Sequence, residues 1–180
     1  MRYVAFLRAI NVGGRVVKME RLRELFSEAG FADVATHVAS GNVLFASRRG
    51  GESAVEKRIE QALGAALGYE VAAFLRTPSE METVAAREPF PAAAAASAHG
   101  QYVGFLKVPL RRDEVRLVEG VRTPNDDLRV QGREIHWLCR ERSPKSIALP
   151  GRIERALRIP ATFRNVTTVR SVAALLGEAD

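Results

Sequence analysis

Apolar residues along this chain recur at intervals near two in some stretches and near 3.6 in others, and the switches between the two periods mark out strands and helices. Residues 2–10, Arg-Tyr-Val-Ala-Phe-Leu-Arg-Ala-Ile, hold too few alternating polar positions for a half-exposed edge and predict a central strand. After Asn11-Val12-Gly13-Gly14-Arg15, the residues Met19, Leu22, Leu25, Phe26 and Ala29 fall at helical spacing, with Gly30 as the stop. Two strand-like runs, 33–39 and 42–47, flank Ser40-Gly41, the spacing of a tight hairpin turn. Ser53-Ala54-Val55-Glu56 reads as a capping box opening a second helix that stops near Gly68. Residues 70–76 then complete a β-α-β-β-α-β succession, the split βαβ or ferredoxin-like order.

The second half repeats this grammar less regularly. Thr77-Pro78-Ser79-Glu80 is a capping box with proline at the first helical position, followed by Met81, Val84 and Ala85 at helical spacing. Residues 89–99, with Pro89, Pro91 and the run Ala92 to Ala96, are compatible with loop or helix and are taken as a connector. Residues 102–108 predict a strand, 111–119 a short helix, and 128–140 a hairpin pivoting at Gln131-Gly132-Arg133. Residues 165–177 predict a final helix capped by Asn165, with Val166, Val169, Val172, Ala173 and Leu176 as its buried stripe. The expected class is α+β with two ferredoxin-like (split βαβ) subdomains, 1–76 and 77–180, the second less regular and packed against the first.

Composition narrows the functional classes. The 180 residues are 47% hydrophobic and 27% charged, the balance of a globular domain and not of a disordered or coiled-coil chain. No apolar run approaches the roughly 18 to 20 residues that span a bilayer, and the N-terminus lacks a secretory pattern, so a cytoplasmic protein without membrane attachment is expected. The single cysteine, Cys139, allows no internal disulfide, and its alternation with Ile135 and Trp137 suits a small buried side chain. His37, His99 and His136 stand apart, so no metal site is expected, and no cofactor motif is present. No carboxylate pair identifies a general acid or base, which leaves turnover undecided. The net charge of +6 is concentrated from Glu141 to Arg170, where Arg142, Lys145, Arg152, Arg155, Arg158, Arg164 and Arg170 face only Glu141 and Glu154.

The loop after the first strand carries the strongest local signal for chemistry. Gly13 and Gly14 permit positive φ and close backbone approach, and the next helix starts without a Ser, Thr, Asp or Asn cap, so its free N–H groups and positive dipole end favour an anion. The sequence is neither a P-loop nor a dinucleotide fingerprint. Other polar groups sit at strand ends, turns and helix starts: Arg8 and Asn11, then Ser40, Gly41 and Asn42, then Lys145 and Ser146, and finally Arg164, Asn165 and Thr168. If these segments converge, they form a site for a small anionic, phosphate-bearing ligand, with Arg8, Lys145 and Arg164 supplying charge. The alternative is a nucleic-acid or protein interaction module using the basic C-terminal face, although Phe6, Phe45, Phe74 and Phe105 lie in apolar contexts that suit a core better than base stacking.

Three segments bring a family into view. Leu7-Arg8-Ala9-Ile10-Asn11-Val12-Gly13-Gly14, Ala39-Ser40-Gly41-Asn42-Val43-Leu44-Phe45 and Ala161-Thr162-Phe163-Arg164-Asn165-Val166-Thr167-Thr168-Val169 resemble the signatures of the DUF1697 family. The third departs from the family pattern Thr-Arg-Asn-Trp-Asn-Thr, with Val166 and Thr167 in place of its Trp and second Asn. Lys145-Ser146 resembles an element that family members carry before the last helix. The resemblance implies a bacterial, cytoplasmic α+β protein with ferredoxin-like parts and no established activity.

Overall fold

The computed structural model of the chain describes residues 1–11, 13–38 and 41–178. Contacts divide it into two units, Met1–Val84 with Arg170–Asp180, and Ala85–Val169. The division falls after Val84, beyond the 76/77 boundary expected from the sequence, and the end of the chain returns to the first unit.

In the first unit, β1 (Arg2–Arg8), α1 (Met19–Glu28), β2 (Ala32–Thr36), β3 (Asn42–Ala46), α2 (Glu52–Leu67) and β4 (Ala72–Arg76) are followed by α3 (Pro78–Ala86). The antiparallel sheet runs β2-β3-β1-β4 with β1 inside it, as its apolar sequence requires. Tyr3, Ala5 and Leu7 alternate onto one face and pack with Val43, Phe45, Ala73 and Leu75 against Leu22, Leu25 and Phe26 of α1 and Val55, Ile59 and Leu63 of α2. Gly30 ends α1 at φ +82 and Gly68 ends α2 at φ +75, positions that favour a residue without Cβ. α2 begins one residue earlier than its proposed box, with Gly51 as N-cap and no side-chain cap. The box before α3 does form: Thr77 N donates to Glu80 Oε2 at 2.9 Å, and Glu80 N reaches Thr77 Oγ1 at 3.4 Å.

The second unit contains α4 (Ala92–Ser97), β5 (Gly100–Phe105), α5 (Arg112–Gly120), β6 (Asp126–Gln131), β7 (Glu134–Cys139), α6 (Pro144–Ile147), α7 (Leu149–Leu157) and β8 (Thr162–Asn165). α8 (Val166–Gly177) begins there and ends in the first unit. The sheet order β6-β7-β5-β8 repeats that of the first unit, so both have the ferredoxin-like arrangement. Its core joins Leu128, Ile135, Trp137 and Cys139 of the sheet to Val118 of α5 and to Leu149, Ile153 and Leu157 of α7. The stretch expected as a connector at 89–99 contains α4, and Lys145 and Ser146 lie on α6, with α7 following. Residues 162–165, left unassigned or placed at a helix start, are a strand paired with β5.

Candidate functional site

The residues singled out from the sequence divide between the units. Arg8, Asn11, Gly13, Gly14, Gly41 and Asn42 belong to the first, and Lys145, Ser146, Arg164, Asn165 and Thr168 to the second, while Ser40 lies outside the described residues.

Within the first unit the two glycine-bearing segments meet. Leu7 N donates to Gly41 O at 2.8 Å, and a Cβ added to Gly41 would lie 3.2 Å from Leu7 Cβ and 3.4 Å from Ile10 Cβ. Gly41 therefore lets the β2–β3 turn rest on the end of β1, and its φ of +74 adds a second reason for glycine. Asn42 is fully buried, with its Nδ2 donating to His37 O at 2.8 Å, so it fixes the turn from within. Asn11 has φ +57, a left-handed conformation that asparagine tolerates, and its Oδ1 accepts the Val17 N–H at 2.6 Å. That bond closes the loop ahead of α1, whose N-cap Lys18 makes no side-chain cap. Gly13 and Gly14 have φ of +62 and +80, and a Cβ on either would meet nothing within 4 Å. Ala9 at φ +71 and Val38 at φ +59 are also left-handed, a conformation that costs a non-glycine residue about 1–3 kcal/mol. Arg8 is exposed at the end of β1, and Arg15 lies over the Tyr69 ring at 4.2 Å.

In the second unit most of the singled-out polar groups hold their own elements together. Ser146 is buried, and its Oγ donates to Asp126 Oδ2 at 2.9 Å, while its N–H is capped by Ser143 Oγ at 3.1 Å. Arg164 lies on β8, not at a helix start, and its guanidinium donates to Thr162 Oγ1 at 2.8 Å and Phe163 O at 2.9 Å. Burial lowers its pKa to about 10. Asn165 is the cap expected for α8, accepting the Thr167 N–H at 2.8 Å. Lys145 is exposed and lines a cavity of about 440 Å³ with Thr123, Pro144, Ala148 and Arg152.

Two groups carry chemistry that the sequence did not single out. The buried Asp126 carboxylate accepts from Trp137 Nε1, Thr123 Oγ1 and Ser146 Oγ, three donors whose sequence separation hid the cluster. A cavity of about 610 Å³ in the first unit is lined by Arg48, Arg49 and Arg58 together with Phe31. The adjacent pair Arg48-Arg49 ahead of Gly50-Gly51 was the available signal. Cys139 is buried and donates to Glu141 O at 3.2 Å, with burial raising its pKa, so the thiol is a packing group. Among the described residues no His, Cys, Asp and Glu cluster is arranged to hold a metal ion, and no helix is long and apolar enough to cross a membrane.

The fold is similar to that of the solved structure of conserved bacterial protein SP0830 from Streptococcus pneumoniae, with a TM-score of 0.74 and 23% identity over 98% of each chain. A search of curated proteins finds no match. The β1–α1 loop and the Gly41–Asn42 turn, which meet in the first unit, both fall inside the span of residues 1–136 that matches a family model described as protein of unknown function, and the chain belongs to that family, DUF1697.

Proposed function

We propose that the chain binds a small anionic, phosphate-bearing ligand at a site built in the first unit around the Gly13–Gly14 loop and the Gly41–Asn42 turn. The observation that carries this reading is the Leu7 N to Gly41 O bond of 2.8 Å, because it joins two glycine-bearing segments at one end of the first sheet. A Cβ added to Gly13 or Gly14 would meet nothing within 4 Å, so the loop is open to a ligand there, and the start of α1, with no side-chain cap, adds its positive dipole end. Arg8 supplies charge from the end of β1, and Asn11 keeps the loop closed through Val17. Any catalysis by such a set would be electrostatic stabilisation of phosphoryl or acyl transfer.

The test is a thermal-shift panel of nucleotides, sugar phosphates, acyl phosphates and short RNA and DNA at low and high salt. A ligand at about 100 times its Kd should add about 2.7 kcal/mol, a shift of several degrees. A salt-tolerant shift from one small anion, lost in Gly14→Ala, is the expected result, and silence across the panel would overturn the reading.

The second reading, a basic interaction module, draws on Lys145 and Arg152 sharing one cavity with Arg155 and Arg158 exposed further along the same segment. It predicts a shift from oligonucleotides alone that vanishes at high salt and declines with each of Arg152, Arg155 and Arg158 removed.

A further inference from the structure

The first unit holds a second basic feature, at the opposite end of the β2–β3 hairpin from the Gly41 turn. Thr36 pairs with Val43 near the turn and Ala32 with Ala46 at the open end, a separation of about 13 Å at roughly 3.3 Å per residue. Ala32 and Ala46 line the cavity of about 610 Å³, a volume within the range of small-molecule sites. Its charged groups are Arg48 and Arg49, from the β3–α2 connection, and Arg58, from the second turn of α2; among the described residues no carboxylate lines it.

Arg58 is already oriented. Its guanidinium lies over the Phe31 ring at 4.0 Å, and its Nη2 donates to Ser47 Oγ at 3.3 Å. The Nε of Arg58 is buried with no hydrogen-bond partner among the described residues, so this guanidinium is under-satisfied as well as unpaired in charge. Arg48 and Arg49 are exposed and, among the described residues, neither forms an ion pair. The carbonyls at the end of α1, which also borders the cavity, are already engaged: Phe31 N donates to Phe26 O at 3.1 Å and Gly30 N to Ser27 O at 2.9 Å. They leave the arginines as the dominant polar groups of the wall.

We infer that this cavity is a binding site for a diphosphate group, held by the oriented Arg58 and closed over by Arg48 and Arg49. Guanidinium forks pair with phosphate oxygens two at a time, so the choice between one phosphate and two rests on the charge that three of them carry. A single phosphate monoester carries a charge of about −1.5 to −2 at pH 7 and leaves three arginines under-compensated, whereas a diphosphate comes close to balance. This site is separate from the one proposed at the β1–α1 loop and does not depend on it.

Isothermal titration of the full chain with pyrophosphate, inorganic phosphate, ADP and a short single-stranded oligonucleotide tests the assignment. Pyrophosphate or ADP should bind at least tenfold more tightly than inorganic phosphate. The Arg48→Ala/Arg49→Ala double variant, altered only at exposed positions, should weaken that binding at least tenfold while leaving the thermal midpoint without ligand unchanged. Arg58→Lys, which keeps the charge but not the fork, should weaken it several-fold. Tighter binding of ADP than of pyrophosphate assigns the remaining volume to the group that carries the diphosphate, and the reverse assigns the site to the free anion; either supports the inference. Binding that survives unchanged in the double variant overturns it, and if that binding is lost in Gly14→Ala the loop reading stands alone. An oligonucleotide that outcompetes both diphosphates also overturns it, in favour of a backbone-phosphate surface.

Discussion

Trp137 donates its indole N–H to Asp126 Oδ1 at 2.9 Å, across the β6–β7 pair and inside the second core. Two more donors, Thr123 Oγ1 at 2.7 Å and Ser146 Oγ at 2.9 Å, reach the other carboxylate oxygen, so one buried acid ties the β6 entry, β7 and α6 together. Through Ser146 it also sets the short helix that presents Lys145 to its cavity.

Asp126→Ala removes the shared acceptor and strands three buried or half-buried donors. We expect a loss of about 3 kcal/mol, and a smaller loss for Asp126→Asn, which keeps one acceptor oxygen. Urea unfolding followed by Trp137 fluorescence measures both, and a change below about 0.5 kcal/mol in Asp126→Ala would contradict this role.

His136 sits in β7 at 3% exposure with its Nε2 unpartnered among the described residues. Burial, aided by Arg87 and opposed by Glu134, lowers its pKa from 6.5 to about 4. The unfolded chain therefore takes up a proton as pH falls through 6.5 while the folded chain does not until about pH 4. Stability is fully present above pH 6.5, falls between 6.5 and 4, and levels off below. The size of this contribution is on the order of 3 kcal/mol at 1.36 kcal/mol per pKa unit. Unfolding free energies of the wild type and His136→Phe across that window should differ in slope, and parallel curves would exclude the effect.

Asn11 combines a left-handed backbone with a side-chain bond to Val17 N. Asn11→Ala loses both and should cost about 1–2 kcal/mol, whereas Asn11→Gly keeps the backbone freedom and should cost less. Equal losses in chemical denaturation would show that the loop is held by the hydrogen bond alone.

Gly14 and Gly41 share a positive φ but not their surroundings. Gly14→Ala faces open space and carries only backbone strain, about 1 kcal/mol, while Gly41→Ala adds contact with Leu7 and Ile10 and should cost about 2–3 kcal/mol. Thermal midpoints should fall in that order. With a bound phosphate-bearing ligand the proposed site predicts that Gly14→Ala, the milder change in the free chain, abolishes the ligand-induced shift.

Elements whose apolar residues stand at a clear period were legible in the sequence, and those whose buried residues are polar or whose opening carries proline and glycine were missed. β1, β3, α1 and the β6–β7 hairpin all announce themselves through Val, Leu, Ile and Phe at the right period. β8 buries Thr162 and Arg164, so no hydrophobic alternation marks it, and Arg164 read as a ligand-binding cation at a helix start. α7 opens with Leu149-Pro150-Gly151, where proline and glycine suggest a loop although Pro150 occupies the tolerated first turn. From the sequence the Gly13–Gly14 loop and the Gly41 turn came together only as parts of a ligand site, and the contact of Gly41 with Ile10 was not foreseen. Nor was the cavity of Arg48, Arg49 and Arg58, whose lining comes from separate segments with the Arg48-Arg49 pair as the one local signal.

α8 gives the first unit a debt to the far end of the chain. Arg2 Nη1 donates to Leu176 O at 3.2 Å and Ser171 Oγ lies 2.8 Å from His37 Nε2, so α8 is bonded both to β1 and to the segment after β2. During synthesis at about 5–20 residues per second, residues 1–84 wait some 5–20 s after leaving the ribosome before residues 170–178 arrive. Residues 1–84 thus complete their unit only after residues 170–178 have been made, and the order of folding on the ribosome runs against the order of the chain.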